Sequence, residues 1–128
     1  MTTWTNNELN KIGVAEELRI ASLRSDGTLR KPVIIWVVRL GDDLYVRSVN
    51  GRSTAWFRSV QTRHEGHIRA GGVDKDVKFV EESDANINSQ IDAAYATKYQ
   101  RYAASIISHI NGSAARAATI KLVPRDNH

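Results

Sequence analysis

Residues 41–56, GDDLYVRSVNGRSTAW, decide how the rest of the chain is read. Gly41–Asp42 is a turn signal, and Asp43 to Val49 alternates as a strand does. At the strand's exit stand Arg47, Ser48, Asn50, Gly51, Arg52 and Ser53, followed by Thr54, Ala55 and Trp56 at the start of a short helix through Gln61. Phosphate recognition needs convergent donors: guanidinium forks, hydroxyls, and backbone N–H groups freed where an element ends. Asn50–Gly51 accepts positive φ and lets backbone approach a ligand closely. The helix beginning at Trp56 adds free N–H groups and its dipole. The simpler reading is a polar hairpin end with incidental arginines, but the concentration of donors favours an anion site.

Working outward, KPVIIWVVRL before the turn is nearly continuous β-branched and aromatic sequence, which predicts one strand buried on both faces, with Trp36 in the core. Arg30 and Lys31 enter that strand, and a meander would bring their end near the donor cluster. Upstream, Leu18 and Ile20 alternate ahead of a Ser25-Asp26-Gly27 turn. Thr5 and Glu8 form a capping-box pattern for a helix over Asn6–Val14. Downstream, EGHIRAGG and VDKDVKFVEE predict a second hairpin around Gly71–Gly72. From Asp84, which the pattern makes the N-cap, Ile87, Ile91, Ala94, Tyr95, Lys98, Tyr99 and Tyr102 recur at helical spacing. A further helical stretch over 103–110 stops at Asn111–Gly112, and AATIKLVPR is a last strand ended by Pro124. Five or six short strands with helices at the start and near the end predict a mainly β fold, a small barrel with helical flanks, in a single domain over 1–128.

Composition narrows the chemistry. The 128 residues are 41% hydrophobic and 25% charged, as in an ordinary globular domain, with no signal-like run at the N-terminus. Absence of cysteine excludes disulfides, thiolate metal sites and cysteine nucleophiles, and fits a cytoplasmic setting. Between Arg19 and Arg69 ten Lys and Arg face four Asp and Glu, so this half is basic while the whole chain carries +4. An anionic partner follows, a phosphorylated small molecule or nucleic acid, against the plainer reading of a solvated basic surface. Nucleic acid ranks last, because Trp36 and Tyr45 sit in core-like strand patterns rather than exposed among the arginines.

Two aromatic sets are candidates for a ligand. Trp56 can pack on a flat ligand or anchor its own helix. Tyr95, Tyr99 and Tyr102 at i, i+4 and i+7 share one helix face, and three hydroxyls are satisfied more easily at a pocket than in a core. Metal and hydrolytic sites read poorly. His64 and His67 are three apart, but Glu65 is misplaced for a zinc-protease motif, and His109 and His128 stand alone. Asp42–Asp43 and Glu81–Glu82 lie at turns and strand ends. With no P-loop and no nucleophile elbow, an enzyme built on this chain would depend on a bound cofactor.

The ordered set RSDGTLRKPVIIWVVRLGDDLYVRSVNGRSTAWF, IRAGG, IDAAYATKYQRY and ATIKLVPR resembles a bacterial family of unknown function in the flavin-binding split-barrel superfamily. More distantly it resembles pyridoxamine phosphate oxidase-like proteins and deazaflavin-dependent nitroreductases and quinone reductases. The resemblance implies a six-stranded split β-barrel binding FMN or a deazaflavin, an oxidoreductase passing hydride or electrons to a small flat acceptor. The cofactor phosphate would be held by Arg30, Arg47, Ser48, Asn50, Gly51 and Arg52, with Lys31, Ser53 and Trp56 beside it. The acceptor would lie near Tyr95, Tyr99 and Tyr102. Two departures, VNGRS in place of a Lys-Gly-Gly type loop and RSDG without a basic residue just before its glycine, leave the cofactor's identity open. A homodimer with the cofactor at its interface is a further implication of the resemblance. The alternative is a binding module that holds a phosphorylated ligand without turnover.

Overall fold

A computed structural model describes residues 3–125. The chain runs α1 (Asn6–Val14), β1 (Leu18–Ser22), β2 (Val33–Ile35), β3 (Val37–Leu40), β4 (Asp43–Arg47), α2 (Ala55–Thr62), β5 (Glu65–Ala70), β6 (Val73–Glu81), α3 (Ala85–Lys98), α4 (Ala104–Ile110), α5 (Ser113–Arg116) and β7 (Thr119–Pro124). All pairings are antiparallel, in the order β2-β1-β5-β6-β7-β4-β3. The two ends of this sheet are therefore consecutive in sequence. Val33–Ile35 pairs with β1, Trp36 pairs with neither, and Val37–Leu40 pairs with β4. One strand, bent at Trp36, carries the sheet from its last member back to its first, and the result is a nearly closed split barrel. Six strands are expected from the sequence and seven are present among the described residues because that bend divides KPVIIWVVRL in two.

Alternation sorts the side chains into two layers. Val37, Leu44, Val46, Ile68, Val77, Phe79, Ile120 and Leu122 fill the barrel, plugged by Leu9 and Ile12 of α1 and by Phe57 and Val60 of α2. Val38 and Tyr45 point outward beneath α3 and α4, where they pack with Ile91, Tyr95, Tyr99 and Ile110. The expectation of burial on both faces thus holds for β3, whose Val37 and Val38 are 0% and 1% exposed, and fails for β2, whose Ile34 is 51% exposed. Val33 and Ile35 of β2 pack on the barrel core, while Ile34 faces outward onto a cleft.

Local signals set the element ends. Thr5 Oγ1 accepts from Glu8 N and Glu8 Oε1 accepts from Thr5 N, a reciprocal cap for α1. Trp4 Nε1 donates to Leu122 O at 3.0 Å and ties the chain's start to β7. Asp84 caps α3 by accepting from Ile87 N. α3 ends at Lys98, with Tyr99 as its C-cap, so Tyr102 lies in the following turn rather than on the helix.

Candidate functional site

The exit of β4 is a tight turn in which Gly51 N donates to Ser48 O at 2.9 Å, with Gly51 at φ +88°. A side chain there would combine that unfavourable conformation with a Cβ only 3.3 Å from Ala114 Cβ, so glycine is required. Ser48 Oγ donates to Gly51 O at 2.7 Å and lies 2.9 Å from Thr54 Oγ1. The turn is thereby stiff, and it delivers the chain into α2 with no side chain capping that helix's first N–H groups.

Around this turn lies a cleft of about 710 Å³, within the range of small-molecule sites. One wall is β2 and its bend, from Val33 to Trp36. The second is the turn and the start of α2, through Ser48, Val49, Asn50, Thr54 and Trp56. The third is α4, through Ser105, Ile106, His109 and Ile110. The surfaces are mainly apolar, and His109 is the one ionisable side chain among these lining residues. Its rim carries Ile34, Val49 and Ile106 at 51%, 40% and 47% exposure, an apolar mouth of the kind that marks a binding surface.

Beside the cleft, and sharing Val33 and Trp56 with it, is a smaller groove of about 300 Å³ lined by Arg24, Arg30 and Lys31 together with Ser22, Ala55 and Ser59. Arg24 is braced by Nη1 donating to Leu29 O at 3.0 Å, and Arg30 and Lys31 are exposed. The start of α2 faces this groove through Ala55. An apolar slot and a three-cation groove thus meet at one tryptophan.

The structure scatters the sequence-derived site residues rather than gathering them into one site. Ser48, Asn50 and Trp56 line the cleft, and Gly51 shapes its turn. Arg30 and Lys31 line the basic groove. Arg52 turns away, with Nη1 donating to Glu81 Oε1 at 2.7 Å and to Ala117 O at 2.8 Å, and its guanidinium over the Phe57 ring. Ser53 is exposed and belongs to neither cavity lining.

Arg47 requires the largest correction. Its side chain is 0% exposed. Nε donates to Thr119 Oγ1 at 2.9 Å; Nη1 to Asp92 Oδ1 at 2.5 Å, Asn111 Oδ1 at 3.0 Å and Ile110 O at 3.3 Å; Nη2 to Asn88 Oδ1 at 2.9 Å and Asn88 O at 3.1 Å. A guanidinium has five N–H groups, and all are taken by the protein itself. Arg47 ties β4, β7, α3 and the end of α4 together, and this arrangement leaves no N–H directed at the cleft. Arg116 adds a second cation, its Nε 3.4 Å from Asp92 Oδ2 and buried with no hydrogen-bond partner among the described residues.

The tyrosine pocket is likewise corrected. Tyr95 and Tyr99 are 0% and 1% exposed. The Tyr99 ring stacks on Trp36 with centroids 3.8 Å apart and 3° between planes. Its hydroxyl donates to Glu16 O at 2.7 Å and accepts from Val37 N at 3.3 Å. Tyr95 Oη has a weak contact with Trp36 O at 3.5 Å. Burial, before any nearby charge, pushes the Tyr99 phenol up to about 12 and raises that of Tyr95 further. Tyr102, half-buried, packs obliquely on Trp36. The three phenols back the cleft wall through Trp36 rather than line it. Among the histidines, His67 sits between Asp74 and Asp76 on the β5–β6 hairpin, and His128 lies outside the described residues.

Residues the sequence reading missed are Arg24 in the groove and Ile34, Val49, Ile106 and His109 in the cleft. The spacing of Ser105, Ile106, His109 and Ile110, one face of a short helix, was the signal available for the third wall.

Residues 8–122 match the model of a family described as "Uncharacterized protein conserved in bacteria (DUF2255)". The chain belongs to this family. No curated protein matches it. Among solved structures, a putative pyridoxamine 5'-phosphate oxidase from Listeria innocua superposes with a TM-score of 0.66 at 15% identity, over 94% of this chain and 93% of its own. An F420 reductase superposes with a TM-score of 0.59 at 12% identity, over 98% and 97%. A FAD-binding protein from Mesorhizobium loti superposes with 0.57 at 15%, over 97% and 92%. At these identities the likeness establishes the fold, the split barrel of pyridoxamine phosphate oxidase-like proteins.

Proposed function

We propose that this DUF2255 protein binds a flavin-type cofactor, FMN or a deazaflavin, and acts as an oxidoreductase on a small flat acceptor. The observation that carries the reading is the junction at Trp56 of a mainly apolar cleft of about 710 Å³ with a groove bearing Arg24, Arg30 and Lys31. A ring system with a phosphorylated tail needs those two environments side by side. Fold neighbours named as a FAD-binding protein and an F420 reductase support it.

The residues fit such a group. Trp56 and the apolar side chains of β2 would hold the rings. The cations of the groove and the open first turn of α2 would hold the phosphate. The cofactor, when bound, supplies hydride or electron transfer. The chain supplies position, exclusion of water by Ile34, Val49 and Ile106, and His109 as an ionisable group in the cleft wall. With Tyr95 and Tyr99 in the core, the acceptor's place is the cleft mouth between Val49 and α4. Because His109 is the single ionisable group lining the cleft among the described residues, the same cavities also serve the second reading, a phosphorylated ligand held without turnover.

Fluorescence titration with FMN, riboflavin and a deazaflavin coenzyme tests binding. FMN or the deazaflavin should bind with micromolar affinity, and replacing Arg30 and Lys31 with alanine should weaken FMN while leaving riboflavin unchanged. Absence of binding by either cofactor at about 100 μM, a free energy weaker than about −5.5 kcal/mol, would end the proposal. Binding without reduction of any quinone or nitroaromatic acceptor would transfer support to the second reading.

A further inference from the structure

A second kind of cavity lies between α1, β3 and α3. It measures about 390 Å³ and shares no lining residue with the cleft or the basic groove. Val38, Leu40, Ala93 and Ala94 give it an apolar surface, and Arg39 and Lys98 are its charged side chains. Arg39 is committed elsewhere, with Nε donating to Gly41 O at 2.7 Å and Nη1 to Asn10 Oδ1 at 2.8 Å.

Lys98 is different. It is half-buried, and its Nζ donates to Val37 O at 2.6 Å and stands 5.2 Å from the Tyr99 ring centroid. Among the described residues it has no other hydrogen-bond partner and no carboxylate within ion-pair distance, whereas Lys75 has Glu8 and Lys121 has Asp43. An ammonium carries three protons, so two are left without a protein acceptor. Burial without a counter-charge pushes its pKa down to about 8. A lysine in the last turn of α3 complements the helix dipole, which accounts for a cation there. It does not account for placing that cation against an apolar groove with two donors unpaired by protein.

We propose that this groove binds a small monocarboxylate with an apolar body, the carboxylate on Lys98 Nζ and the body against Val38, Leu40 and Ala94. A phosphate alone would leave the apolar surface bare, and a neutral hydrocarbon would leave the ammonium unpaired. The charged and titratable groups on the neighbouring elements are Arg39 on β3; Lys11 and Glu8 on α1, the latter paired with Lys75; Glu16 and Glu17 beyond α1, the former paired with Arg101; and Tyr95 and Asp92 on α3 with the Tyr99 phenol at its end, Asp92 being held by Arg47 and Arg116. His109 of α4 lines the cleft instead.

The test is calorimetric titration of the full chain with sodium octanoate, at pH 7 and pH 9.5, against 1-octanol. Octanoate should saturate at pH 7 and weaken about 30-fold by pH 9.5 as an amine with pKa about 8 loses its charge. Lys98→Met keeps the apolar stem and should lose at least a factor of about 10, roughly the loss of one charge-assisted contact, while Lys121→Met binds as the parent does. Circular dichroism checks that each variant is folded, and Lys98→Gln replaces the methionine variant if it is not. No saturation by about 20 mM octanoate, equal binding by Lys98→Met, equal binding at the two pH values, or octanol binding as well as octanoate would each overturn the proposal. Flavin binding is scored separately and does not enter the outcome.

Discussion

Replacing Arg47 with methionine separates a structural arginine from a ligand-binding one. The substitution keeps a long unbranched side chain but removes all five N–H donors from a site with 0% exposure. Asn88 Oδ1 and Thr119 Oγ1 retain each other at 2.8 Å, so they are partly compensated. Asn88 O, Asn111 Oδ1 and Ile110 O each lose a donor, and Asp92, 26% exposed, is left with Arg116 and solvent. Removing one partner of a buried ion pair costs about 3–5 kcal/mol. The partial compensation places Arg47→Met toward the lower end of that range. A domain of this size is stable by about 5–15 kcal/mol, so the melting temperature should fall by roughly 10–20 °C. Urea unfolding followed by circular dichroism gives the free energy directly. An unchanged midpoint with loss of FMN affinity would refute the reasoning and return Arg47 to the phosphate site.

Two further outcomes follow from the same geometry. Tyr99→Phe should lower stability by about 1 kcal/mol, because the hydroxyl held by Glu16 O and Val37 N is buried, and ligand titrations should not change. Wild-type melts with the phenylalanine variant's ligand affinity altered would argue for a wet hydroxyl instead. For His67, burial opposes the imidazolium, but hydrogen bonds from it to Asp76 and Asp74 and their charges outweigh that, and its pKa is raised. A raised folded pKa stabilises fully below the unfolded value near 6.5 and is lost as pH rises through the folded one. Wild type should therefore lose stability relative to His67→Gln as pH climbs from about 6 to 8, and parallel melting curves would exclude the effect.

Much of the barrel was legible because its signals are local and periodic. The capping box at Thr5, the N-cap at Asp84, the Gly71–Gly72 hairpin and the alternation of Leu44 and Val46 each depend on neighbours in sequence. The break at Trp36 was not legible: VIIWVV is uniformly apolar, and nothing in it records that its two halves pair with strands from opposite ends of the sheet. The same limit governs the site. Arg47 and Arg52 flank one turn in sequence, yet their targets, Asp92 and Glu81, are 45 and 29 residues away. Which arginines remain free to meet a ligand depends on these distant carboxylates. Tyr95 and Tyr99 misled for the same reason, since the acceptors for a buried phenol are backbone carbonyls that no side-chain pattern announces.

The bend at Trp36 also bears on how such a sequence can drift. A residue inserted within β3 would exchange Val37 and Val38 between the barrel and the layer under α3, inverting every contact downstream to the turn. An insertion beside Trp36 falls where no ladder passes, so both ladders keep their partners and the gap alone changes width. Length variation in descendants of this sequence should collect there and at the Ser25–Thr28 turn. A change beside Trp36 would reshape the cleft wall, and one in the turn would reshape the approach to Arg24 in the basic groove, each leaving the barrel's pairing untouched, a route by which one scaffold comes to accept differently shaped ligands.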